Sequence, residues 1–79
     1  MATADPKRFY AYADAVGRSH GHSVQAGSFE AAAVAYVETW APPLDGDNDI
    51  RVFVQDPLDG VEHCFTLDLG AGGEPEPCD

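Results

Sequence analysis

The chain has 79 residues, with 14 Asp and Glu against four Lys and Arg, and a formal net charge of −10. This length holds one small domain, and an apolar share of 44% is enough for a core. So acidic a chain is repelled by phosphates and by anionic lipid, so neither nucleic acid nor a membrane surface is an expected partner. No apolar run approaches the roughly 20 residues of a spanning helix.

Residues 1–6 read as a disordered N-terminus. They lack the basic and apolar stretches that direct secretion, so a cytoplasmic protein is expected. A single domain is expected over residues 7–69. Arg8 to Ala13 is aromatic-rich and strand-like. Gly17 to Gly21 is polar and glycine-punctuated, a hairpin loop, and His22 to Ala26 alternates as a second strand. Ser28 is a natural helix N-cap, because its hydroxyl can accept a backbone N–H two or three residues ahead.

From Phe29 to Trp40 the chain is alanine-rich and free of Gly and Pro, and Glu30 suits the positive end of a helix dipole. At about 100° per residue, Phe29, Ala32, Ala33, Tyr36, Val37 and Trp40 share one face. Pro42 and Pro43 end the helix, since the residue before a proline is pushed out of the α region. A polar loop runs from Leu44 to Asp49, and Ile50 to Gln55 alternates as a third strand. Asp56-Pro57-Leu58-Asp59-Gly60 is a turn, and Val61 to Leu69 returns as the fourth strand. Residues 70–79, rich in Gly, Pro and Glu, are expected to be a disordered acidic tail.

The order β-β-α-β-β predicts a small two-layer α+β domain, with one helix on one face of an antiparallel four-stranded sheet. This order resembles the layout of several small bacterial domains, antitoxin-type modules among them, and layout alone leaves function open. The expected core is Phe9, Ala11, Val24, Ala26, Ile50, Val52, Val54, Phe65, Leu67 and Leu69. Period-two geometry then sends Tyr10, Tyr12, Arg51, Phe53, Cys64 and Thr66 to the opposite face, which two layers leave open.

That open face is the first candidate site. Tyr10, Tyr12 and Phe53 beside Arg51 form a contact patch of the residue types enriched at interface hot spots. Homodimerisation through this face or a sheet edge is its simplest use. Sheets that stack RNA bases on such aromatics have basic surroundings, which this chain lacks. The acids are the second feature. Residues 1–44 carry four acids and three bases, whereas residues 45–79 carry ten acids and one base. Asp45, Asp47, Asp49, Asp56, Asp59 and Glu62 are the expected acidic patch, with a field able to steer a basic protein partner.

Two weaker constellations suit metals. Asp45-x-Asp47-x-Asp49 resembles the start of an EF-hand calcium loop, but Ile50 stands where that loop needs glycine and Asp56 where a glutamate closes it. His20-x-His22 offers two imidazoles, with His63 or Cys64 as a further zinc ligand. Cys64 and Cys78 form no C-x-x-C pair, and without an export signal both are expected as free thiols. No nucleophile elbow, phosphate loop or His-Glu-x-x-His motif appears. The expected function is a small acidic, non-catalytic binding or regulatory module with a protein partner and no cofactor. The alternatives are a metal-binding or metal-responsive module using zinc or calcium, or a small enzyme.

Overall fold

A computed structural model describes residues 7–40 and 49–78. The alternating segments form strands β1 (Lys7–Ala13), β2 (His22–Ala26), β3 (Asp49–Gln55) and β4 (Glu62–Asp68), and the alanine-rich segment forms helix α1 (Phe29–Trp40). A fifth strand, β5 (Pro75–Pro77), comes from the tail. The five strands make one antiparallel sheet in the order β2-β1-β3-β4-β5. Because β2 and β3 both run antiparallel to β1, they are parallel to each other, and α1 is the crossover that parallel strands require. The chain is thus a two-layer α+β domain, with five strands where the sequence predicts four.

Helix α1 starts where its cap predicts: Ser28 Oγ accepts the Ala31 N–H at 3.1 Å. Ala32, Ala33 and Tyr36 are its buried residues, and Phe29 packs its ring centroid 4.9 Å from that of Phe9. Across from them lie Phe9, Ala11, Val24, Ala26, Ile50, Val52, Val54, Phe65 and Leu67, all buried. Burying each Val side chain stabilises the fold by about 2 kcal/mol. The Tyr36 hydroxyl accepts the Ala13 N–H at 3.2 Å. Pairing of β1 with β2 stops at Ala11 and His22, so the helix supplies the acceptor that the shorter strand cannot. Leu69 departs from the expected core. It is 42% exposed, because the chain leaves β4 there for a 3₁₀ turn over Leu69–Ala71.

The tail and the thiols require the main corrections. Instead of a disordered tail from residue 70, the chain reverses through Gly72 (φ 108°) and Gly73 (φ 75°), angles that side chains resist. The Gly73 N–H donates to the Asp68 carbonyl at 2.9 Å, and β5 then returns alongside β4. Prolines are admissible here because β5 is an edge strand, whose outward positions need no N–H. Cys64 and Cys78 are joined in a disulfide rather than free, with Cα atoms 5.4 Å apart. Among the described residues, no helix is long and apolar enough to cross a membrane.

Candidate functional site

The face of the sheet opposite α1 is a grid set by the strand register. One row reads Ser23, Tyr10, Gln55 and Glu62 across β2, β1, β3 and β4. The next reads Tyr12, Phe53 and Cys64, and beyond it Arg51 faces Thr66 and Glu76. Tyr10, Tyr12, Arg51 and Phe53 therefore share this face, but they do not form one patch.

Tyr12 is only 8% exposed. Its ring stacks on Phe53 with centroids 5.2 Å apart, and its hydroxyl donates to Glu62 Oε2 at 3.0 Å. Arg18, from the 3₁₀ turn Arg18–His20, lies 5.8 Å from the Tyr12 ring centre and donates to the same Glu62 oxygen at 3.0 Å. Burial, with Glu62 nearby, pushes the Tyr12 phenol up, against the pull of Arg18. The β1–β2 loop is thus folded over this aromatic pair. Tyr10 fixes the fold of that loop: its hydroxyl donates to the Arg18 carbonyl, and a Cβ on Gly21 would lie 2.5 Å from its ring. Glycine is required at position 21 for this close approach. Arg51 and Asp14 approach only to 3.9 Å, and each is about half exposed, so that pair contributes little.

On the other side of Tyr10 lies a groove of about 1100 Å³. Its lining includes Lys7, Arg8, Arg18, Ser23, Gln25 and the apolar turn residues Pro57 and Leu58. Three of the chain's four Lys and Arg residues meet there, and among the described residues no carboxylate lines the space. Lys7 pairs with Asp56 and Arg18 with Glu62, while Arg8 has no ion-pair partner among the described residues. Sequence reasoning missed this cluster because it needs β1 centred between β2 and β3, an order that strand patterns do not reveal. The available signal was the alternation Arg8-x-Tyr10 and Ser23-x-Gln25.

The predicted acidic patch is dispersed. Asp45 and Asp47 lie outside the described residues. Asp49 opens β3 and Asp56 follows its last residue, about 23 Å apart at strand rise. Asp56 is 2% exposed, with one oxygen 2.5 Å from Lys7 Nζ and the other accepting the Leu58 N–H at 3.0 Å. Those two donors hold its carboxyl below the usual range. Glu62 is engaged by Tyr12 and Arg18, and Asp59 remains an exposed turn acid.

The metal candidates are similarly separated. His22 stacks on Trp40 at 4.3 Å, His63 packs edge-on to Phe29 at 4.3 Å, and Cys64 is held in the disulfide. His20 sits exposed in the 3₁₀ turn. Among the described residues, no group of three His, Cys, Asp or Glu side chains is placed to hold a metal ion.

No curated protein and no solved structure matches the chain. A family match covers residues 7–79, from the first residue of β1 through β5 and Cys78, so the groove, the stacked aromatics and the disulfide all lie within it. The chain belongs to DUF5961, a family of unknown function.

Proposed function

We propose that this protein is a non-catalytic binding module that takes a protein partner on the open face of its sheet. The observation that carries this reading is the groove beside Tyr10, with Leu58 at its edge 88% exposed. An apolar side chain presented so fully beside a recess lined with Tyr and Arg has the makeup of an interface anchor. The basic partner expected from the acid-rich half has less support, since the described acids are dispersed or already paired. The compartment we propose is one where the Cys64–Cys78 bond persists, in place of the reducing cytosol that free thiols indicated.

The test is affinity capture with the native chain and with Leu58→Asp, each captured protein then being purified and titrated back. Leu58 sits on an exposed turn and its replacement leaves the core intact. A partner that rebinds the native chain and not the variant supports the reading. Equal binding by both chains refutes it.

A further inference from the structure

The two edges of the sheet differ. At one edge β5 carries Pro75 and Pro77, which have no N–H to offer a neighbouring strand. At the other, β2 reads His22-Ser23-Val24-Gln25-Ala26, with no proline, lysine or acid to blunt it.

Its hydrogen-bonding phase follows from one contact. The Asp14 N–H donates to the Arg51 carbonyl at 2.8 Å, in phase with the pairs Tyr12–Phe53 and Tyr10–Gln55. Backbone groups alternate sides along a strand, so the even-numbered residues of β1 turn toward β3 and the odd-numbered toward β2. Phe9 faces Val24, and Ala11 faces His22. Ser23 and Gln25 are the residues between, and their N–H and C=O groups point away from the sheet. The side chains of these same two residues line the groove.

A strand added to β2 would therefore bond to Ser23 and Gln25 and place its alternate side chains on the groove side. Arg8 lies one strand further in, directly opposite Gln25. Strands spaced about 4.8 Å apart put it about 10 Å from the added backbone, within the joint reach of an Arg and a Glu side chain. Among the described residues the lining holds no carboxylate, and Arg8 is the lining cation without an ion-pair partner, so the matching side chain is acidic.

We propose that β2 accepts an extended acidic segment of a partner protein as a further strand, with carboxylates on alternate residues meeting Arg8. The proposal rests on the binding-module reading above and names the chemistry of the partner. A second copy of this chain is the poorer occupant, because its own β2 has no acid to offer Arg8.

The experiment uses the oxidised full chain and a capped peptide of alternating Thr and Glu, about eight residues long as strands are. Amide shifts are followed by NMR. The controls are an alternating Thr and Lys peptide, the acidic peptide with alternate amides N-methylated, and inorganic phosphate. The acidic peptide is expected to shift Ser23 and Gln25 in a saturable way. Arg8→Glu and Gln25→Pro should each weaken it about tenfold or more, the cost of a lost charge-assisted or backbone contact. Gln25→Pro removes an outward N–H and no ladder bond, so the sheet is retained. N-methylation removes the complementary bonds, from the peptide's N–H groups to the Ser23 and Gln25 carbonyls, without altering the protein.

No shift at millimolar acidic peptide overturns the proposal. So does equal binding of the lysine or N-methylated peptide, the same shifts with phosphate alone, or dimerisation without peptide. If Leu58→Asp releases a rebinding partner while Gln25→Pro retains it, strand addition fails and the open-face reading stands. If Leu58→Asp releases none, the open-face reading itself fails.

Discussion

Reduction of the disulfide is expected to weaken the fold by a calculable amount. The Cys64–Cys78 bond spans a sequence separation of 14. Closing a loop of about 15 residues restricts the unfolded chain by about 3 kcal/mol. At roughly 0.05–0.15 kcal/mol per residue, a chain of this length has about 4–12 kcal/mol in total, so the bond supplies a quarter or more. β5 has little else to hold it. Of its three residues, only Glu76 has a backbone N–H. Urea unfolding followed by circular dichroism should show the midpoint falling by about 1–3 M on reduction, at the m-values of small proteins. The double variant Cys64→Ser, Cys78→Ser should reproduce the reduced curve. In hydrogen exchange, the Cys78 N–H, which donates to the Cys64 carbonyl at 3.1 Å, should lose protection while β1 and β3 keep theirs. Coincident unfolding curves with unchanged protection at Cys78 would refute the argument.

Tyr36→Phe removes a buried hydroxyl with almost no change in volume and orphans the Ala13 N–H, so it should cost about 1–3 kcal/mol. A thermal melt matching the parent's would show that Ala13 finds another partner. Asp56 predicts an acid limb in the stability curve. Its carboxyl is held low by Lys7 and then by the Leu58 N–H, so its contribution is complete above the unfolded value of about 4 and is lost as pH falls through the lower folded value. Asp56→Asn keeps an acceptor for Leu58 and removes the charge facing Lys7. It should lower stability at neutral pH and flatten the profile below pH about 4, and parallel profiles would count against the pair.

Local chemistry made much of this fold legible. The helix follows from a serine cap and an alanine-rich run without breakers, and β1 to β4 from alternation that one buried sheet face demands. Features that depend on distant residues were not legible. Asp56 reads as one more turn acid until Lys7, 49 positions away, is brought against it. Pro75 and Pro77 read as breakers because a sequence does not show which strand will lie at an edge. The cysteines read as unpaired because their meeting depends on the reversal at Gly72 and Gly73. Tyr10, Tyr12 and Phe53 were assigned to the correct face, yet the loop that covers Tyr12 and leaves Tyr10 beside a groove is a matter of packing.

Trp40 is the chain's single tryptophan, and His22, the first residue of β2, lies flat against it with ring planes 7° apart. Excited beyond the tyrosine band, the molecule therefore emits from one indole, at the junction of the helix's last residue and the edge strand β2. An aromatic base in stacking contact drains the excited state, so brightness follows the state of that stack. Unfolding, which parts the helix from the sheet, breaks that stack, so folding can be read from the unlabelled protein with a fluorimeter.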